Sequence, residues 1–300
     1  MMLNVSCLLI LQVFKETAKK CILRLSTEAQ LEVLMMMTTF KESTLEECGA
    51  MQIEYYKALT APLDDMWELG IIAKANYFKM VGDEVFGYLV LDDQKSLLQF
   101  YVCPEFINCS SELFNEARMR LGFEKAYACT YEPWYLSICL DRATQVTVNS
   151  IMYEDALKEN QLVMPDGLSE VLALSSDLDA ALTYTDQKVE IAGDWLIPYY
   201  DMLVDSKGLY LYYMQDEIVG TGEIRQSKTS HQTANLGMTV SKDHRKKGLG
   251  TLILSRMKAL AYERGLAPVC STSIDNVGSQ NTIMKAGFTA RNRVLEIILD

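Results

Sequence analysis

The sequence predicts an α/β fold built as two tandem copies of one unit. Three observations predict it. Asp83-Glu84-Val85-Phe86-Gly87 and Asp216-Glu217-Ile218-Val219-Gly220 repeat one motif in the two halves, each between strand-like runs. Arg245-Lys246-Lys247-Gly248-Leu249-Gly250-Thr251 joins a strand pattern to a helix pattern through a basic, glycine-containing turn. A chain of 300 residues, 49% hydrophobic and 23% charged, suits two domains that each bury a core of their own.

The first copy opens on an apolar run at residues 5–14. It is too short to span a bilayer, has no basic segment ahead of it and lacks a small-residue cleavage pattern, so it reads as a buried segment or an over-long start assignment. Helix patterns follow at 27–37 and 44–59, and Asp64-Asp65-Met66-Trp67 stands where it would line a cleft. Residues 76–81 and 86–91 read as a hairpin turning on Asp-Glu, 97–102 as the next strand, and 111–121 as a helix followed by Gly122-Phe123. Between strand and helix the chain reads Pro104-Glu105-Phe106-Ile107-Asn108-Cys109-Ser110, with no glycine and no basic residue. Pro165-Asp166-Gly167 marks a turn in a linker at 153–168, which separates a domain at 1–152 from one at 169–300.

In the second copy, Trp195 and Pro198-Tyr199-Tyr200 lie in a helical region as candidate pocket walls. Residues 210–214 and 218–225 form the second hairpin, with Tyr210 and Tyr212 on one face and Tyr213 on the other. Residues 233–240 read as a strand that ends in the polar turn Ser241-Lys242-Asp243-His244. The helix pattern at 249–264 places Leu249, Ile253, Met257, Leu260 and Ala261 on one apolar face. A further strand at 268–273 leads to Asp275-Asn276 and a short helix ending at Lys285-Ala286-Gly287-Phe288.

The strand-to-helix turn is an anion cradle. Its glycines let the backbone approach a ligand without a Cβ in the way, and the first free N–H groups of the helix point at whatever sits there. Arg245, Lys246 and Lys247 add positive charge and Thr251 a hydroxyl, a combination that suits a pyrophosphate. A Walker A loop is excluded because the lysines precede the glycines, and a dinucleotide fingerprint because Ile253 stands where a third small residue is needed.

Arg-x-x-Gly-x-Gly at such a turn, with Asn276 and Gly287-Phe288 downstream at the family's spacing, resembles the acetyl-CoA motif of the GNAT N-acetyltransferase superfamily. The likeness is specific over residues 209–290. It implies two tandem GNAT-like domains, each a mixed twisted sheet flanked by helices, and an N-acetyltransferase that takes acetyl-CoA as acyl donor and a primary amine of a small molecule or protein as acceptor. It implies that Met238, Thr239 and Val240 hold the pantetheine arm and thioester, that Arg245, Lys246, Lys247, Gly248, Leu249, Gly250 and Thr251 form the cradle, and that Asn276, Asn281 and Lys285 reach the cofactor. The first copy, without the cradle, reads as a degenerate domain that supports the second.

An amine attacking a thioester needs a base for its proton. Glu223, in a strand of mixed polarity beside the thioester strand, is the candidate; the alternative is that it faces solvent or pairs with Arg225. Many family members place a tyrosine four residues before the Gly of Gly-Phe, as acid for the departing thiol, and here that position is Ile283. An ordinary thiol pKa allows departure without one. A catalytically silent acyl-CoA sensor and an interaction scaffold remain the alternative functions.

A net charge of −12 argues against a general nucleic-acid binder. The eight cysteines form no Cys-x-x-Cys pair and sit mostly in apolar runs, as reduced core residues of a cytoplasmic protein without a membrane anchor would. With only His231 and His244, both in polar loops, no metal site is expected.

Overall fold

The computed structural model describes residues 38–157 and 164–300. The expectations for Cys7, Cys21 and residues 5–14 and 27–37 lie outside them. The first half runs β1 (Thr39–Ser43), α1 (Leu45–Lys57), β2 (Asn76–Val81), β3 (Val85–Leu91), β4 (Leu97–Val102), α2 (Ser110–Leu121), β5 (Lys125–Cys129), α3 (Pro133–Leu140) and β6 (Ala143–Asp155). The second runs β7 (Leu168–Leu172), α4 (Leu178–Tyr184), α5 (Leu196–Asp205), β8 (Leu209–Met214), β9 (Glu217–Gln226), β10 (Thr233–Val240), α6 (Leu249–Glu263), β11 (Ala267–Ser273), α7 (Val277–Lys285) and β12 (Phe288–Leu299).

Local chemistry sets the helix starts. The Thr44 hydroxyl accepts the Glu47 N–H at 3.2 Å and caps α1, and Pro133 opens α3 where its missing N–H costs nothing. The stripe on α6 is as its spacing predicts: Leu249, Ile253, Met257 and Ala261 are buried in one cluster with Leu260 packed on its edge. Tyr210 and Tyr212 enter that cluster, while Tyr213 packs on the opposite face of the sheet against α5.

All described strands join in one sheet of order β1-β2-β3-β4-β5-β12-β6-β11-β10-β9-β8-β7. The expected mixed sheet flanked by helices is present, with β4–β5 and β10–β11 as its parallel pairs. What local periodicity does not announce is an exchange of last strands. β12, from the second half, pairs with β5 of the first, and β6, from the first half, pairs with β11 of the second; β6 and β12 then pair with each other. The hydrophobic cores follow the exchange. Ile297 and Leu299 of β12 pack with α2 and α3, and Ile151 and Tyr153 of β6 pack with α6.

The exchange moves the expected boundary. Tyr153, Glu154 and Asp155 fall in β6 rather than in a linker, because they pair with β11 and β12 and Tyr153 belongs to the second core. Asp155 also anchors α6: the buried Lys258 ammonium donates to its Oδ1 at 3.0 Å and to the carbonyls of Leu157 and Ala286 at 2.6 and 2.8 Å. Among the described residues, no helix is long and apolar enough to cross a membrane.

Candidate active site

The site begins where two parallel strands part. β10 pairs with β9 from Ala234 to Val240, but with β11 only from Thr233 to Asn235. Beyond that point β11 follows β6, through Val269↔Glu154 to Ser273↔Ser150. The β11-facing edge of β10 at Leu236–Val240 therefore has no strand beside it, and its backbone groups are open to an extended ligand in the manner of an added strand.

At the end of β10 the chain turns through Lys242–His244 into the cradle. Lys246 and Gly248 both take left-handed backbone, φ 61° and 86°, before α6 starts at Leu249. Successive turns of this kind aim neighbouring N–H groups at one point, an anion nest. Glycine adopts the conformation freely, whereas at Lys246 it stores strain of about 1–3 kcal/mol, as is common where a loop is shaped for a ligand. Gly248, as N-cap, offers no side chain to the first N–H groups of α6, so they stay available. Gly250 serves close packing instead: a Cβ there would stand 3.2 Å from Thr282 Cγ2 and 3.3 Å from Met238 Sδ.

Fork and cradle enclose a cleft of about 600 Å³. It brings together Met238, Thr239 and Val240 from β10, Arg245, Lys246, Gly248, Gly250 and Thr251 from the turn, and Asn276, Asn281 and Lys285 from the α7 region. Two expected members are not on its wall. Lys247 turns away, its Nζ donating to the Asp243 carbonyl at 2.8 Å, and Leu249 is buried in the core as part of the helix stripe. Asn276 caps α7, its Oδ1 accepting the Ser279 N–H at 3.0 Å, which leaves its amide nitrogen as the group available to a ligand. His244 is held by Ser241, with Nδ1 and Oγ 2.8 Å apart. The sequence reading missed Val189, Ile191, Gly278, Ser279 and Thr282 on this wall. The last three share a small, polar face with Lys285 at helical spacing, a signal that was present; Val189 ends the π-helical turn Thr185–Val189 and Ile191 follows in irregular chain, and they carry none.

A second cavity of about 230 Å³ shares Ile191, Met238 and Thr239 with the cleft. Trp195, Tyr199 and Tyr200 form its aromatic wall, without the expected Pro198, and Asp64 and Met66 of the first half close it. Asp65 and Trp67 lie behind: Asp65 binds Arg225, and Trp67 packs edge-on to Tyr127. Glu223 lines the cavity and is buried, so it does not face solvent. Its Oε2 accepts from the Tyr199 hydroxyl at 2.5 Å and from Arg225 Nη1 at 2.7 Å. Gly237, opposite Glu223 in the β9–β10 register, makes room for this carboxylate, since a Cβ there would come within 2.6 Å of Oε2. Burial and the charge of Glu223 push the Tyr199 hydroxyl well above the usual phenol range. Burial also raises Tyr184 to about 12; its oxygen lies 3.4 Å from Thr239 Oγ1, which in turn meets Thr221 Oγ1 at 2.7 Å. Ile283 is buried in the core, so no hydroxyl reaches the cleft from that position.

Chemically, this is an anion site at a helix start, an open strand edge leading from it, and a small cavity with a carboxylate where that edge ends. Residues 44–156 match the model of an acetyltransferase (GNAT) domain and residues 177–288 that of the acetyltransferase (GNAT) family. An acetyltransferase of the GNAT family from Colwellia psychrerythraea is 28% identical, covers 87% of this chain and 100% of its own, and superposes with a TM-score of 0.81. A GCN5-related N-acetyltransferase from Sphaerobacter thermophilus, 14% identical over 87% of this chain and 95% of its own, shares the fold at a TM-score of 0.59. So does a tandem GNAT protein from the clavulanic acid biosynthesis pathway, 14% identical over 86% of this chain and 97% of its own, also at 0.59. Among curated proteins, none matches the chain by sequence.

Proposed function

The chain belongs to the GNAT acetyltransferases as two domains in tandem, and we propose that the second transfers an acetyl group from acetyl-CoA to a primary amine. The observation that supports this reading is the junction of the cleft with the second cavity at Met238 and Thr239: a thioester held in the one would lie beside an amine held in the other.

Acetyl-CoA supplies an activated acyl carbonyl. The residues of the chain do the rest. The N–H groups at the start of α6, with Arg245 and Lys246, hold the pyrophosphate. The open edge of β10 binds the pantetheine arm through its free backbone groups and fixes the carbonyl near Met238–Val240. Asn276 adds its amide donor. Glu223 receives the proton that the amine nitrogen loses as its bond to the acyl carbon forms and the carbon–sulfur bond breaks. Arg225 and Tyr199 both hold Oε2, which leaves Oε1 for that proton. The CoA sulfur leaves as the thiolate, because the side chain at 283 is isoleucine and offers no proton.

We read the first half as a copy that no longer binds the cofactor. Its fork exists, with Leu97↔Ala126 as the single parallel register pair, but its turn is a 3-10 helix at Pro104–Cys109, and the Phe106 ring packs on Phe86 at 4.7 Å. Glu132, preceding α3 as Asn276 precedes α7, turns inward to accept from the Cys129 N–H at 2.6 Å and from the Tyr55 hydroxyl. The free cysteines of the described residues fit a cytoplasmic setting. Ile283 favours a second reading, a silent acyl-CoA sensor with the same cleft.

A thermal melt with saturating acetyl-CoA tests the binding. A ligand at about one hundred times its dissociation constant adds about 2.7 kcal/mol to native stability. The shift is expected in the wild type and lost in Gly250→Asp and in Lys246→Glu, the latter a charge reversal at an exposed side chain that leaves the core alone. No shift in the wild type rejects both readings. A shift with no acetyl transfer to any amine leaves the sensor.

A further inference from the structure

The first half reaches into the amine cavity, and what it brings is charge. Asp64 lines that cavity with both oxygens held by neutral donors: Oδ1 accepts the Trp67 N–H at 3.0 Å and Oδ2 the Ser271 hydroxyl at 2.6 Å. Among the described residues the cavity's one cationic side chain, Arg225, is already committed, through Nε to Asp65 Oδ2 at 3.0 Å and through Nη1 to Glu223 Oε2 at 2.7 Å. Lys228 acts on Asp65 and Glu68 through space only. Three carboxylates thus share one guanidinium, and among the described residues Asp64 is the one with no direct ion pair, Arg225 reaching it only through space.

A second observation is independent of that cluster. Asn235, on β10 at the point where the fork opens, is 1% exposed and lines the same cavity. Its Oδ1 accepts the Asp65 N–H at 3.3 Å, and its Nδ2 has no hydrogen-bond partner. A buried amide donor without a partner is rare in folded proteins and points to an atom that arrives with a ligand. The size of the cavity limits that ligand: about 230 Å³ is below the roughly 300–1,000 Å³ of sites that take drug-sized molecules.

We propose that the acceptor is a small molecule carrying, besides the amine that reacts, a second cationic group and an oxygen acceptor. Asp64 of the first half binds the cation, and Asn235 Nδ2 donates to the oxygen. A basic amino-acid amide has all three parts. This rests on the acetyltransferase reading and gives the first half a part in selecting the substrate.

The experiment compares lysinamide, cadaverine and pentylamine as acceptors with acetyl-CoA in the full chain. The wild type is expected to use lysinamide and cadaverine at least tenfold better than pentylamine in kcat/KM, with lysinamide ahead. Asp64→Asn keeps the local bonds, because its amide oxygen accepts from Trp67 and its nitrogen donates to the Ser271 oxygen. It is expected to cut the preference for the two dications at least tenfold while the acetyl-CoA dissociation constant stays within twofold. Asn235→Ala is expected to remove the advantage of lysinamide over cadaverine. A wild type that shows no preference for a second cation overturns the proposal whether or not the variants fold, and so does a preference that survives in a folded Asp64→Asn. If acetyl-CoA binds but no amine is acetylated, the acetyltransferase reading fails by itself. Calorimetric titration of lysinamide then reads the site directly: binding that Asp64→Asn abolishes upholds the site, and no binding to the wild type overturns it.

Discussion

Glu223 sits in an ion pair with Arg225, and the proposed function gives the same side chain a part in a reaction. Arg225 and Tyr199 fix Oε2 and so fix the direction of Oε1. Replacing Glu223 with Gln keeps the size and removes the proton acceptor. Turnover on a validated amine is expected to fall about a hundredfold or more, with acetyl-CoA affinity measured by calorimetry unchanged; unaltered turnover would remove Glu223 as the base. Glu132, a buried carboxyl of the first half, has a different consequence. Burial raises its carboxyl from 4.5 to about 7, so the folded protein holds a proton that the unfolded chain releases near pH 4.5. The sign follows from proton uptake: the stabilisation is complete below the unfolded value and is lost as pH rises through the folded one, amounting to roughly 3 kcal/mol across that window. The melting temperature is expected to fall between pH 5 and 8, and Glu132→Gln to flatten that slope.

The helix α6 gives a prediction at the next scale. Asp155→Ala leaves the Lys258 ammonium buried without its carboxylate, a loss of about 3–5 kcal/mol that a denaturant midpoint would register. The same scale shows what the sequence makes legible. β2, β4 and β10 are contiguous strand-like runs and α6 a pattern of period 3.6, and the cradle lies in one stretch with its strand and helix, so the cleft from Met238 to Lys285 is readable along the chain. Pairing between distant strands leaves no local trace. Nothing in the periodicity of residues 288–299 tells that they sit beside Lys125–Cys129 rather than beside β11, and nothing near Arg225 tells that Asp65 is its partner. Lys247 and Leu249 miss the cleft for a related reason: a motif lists neighbours in sequence, and a turn sends alternate side chains to opposite sides.

For the whole molecule, the exchanged strands make each half structurally incomplete alone. β6 has both neighbours, β11 and β12, in the second half, and β12 has both of its neighbours, β5 and β6, in the first. Residues 1–160 and 161–300 expressed separately are expected to be unfolded or aggregated, and to recover one compact complex when co-expressed. The intact chain is expected to unfold in one transition by calorimetry, and two resolved transitions would contradict the shared core. The exchange also sets an order in time. Thr130, just after β5, and Asn292 in β12 bond to each other across 162 residues of chain. At roughly 5–20 residues per second, a ribosome needs about ten to thirty seconds to make that stretch. Throughout that interval the nascent first half waits with β5 as a bare edge, an invitation to foreign strands. The cellular yield of this protein is therefore expected to follow the rate of translation and whatever shields that edge meanwhile.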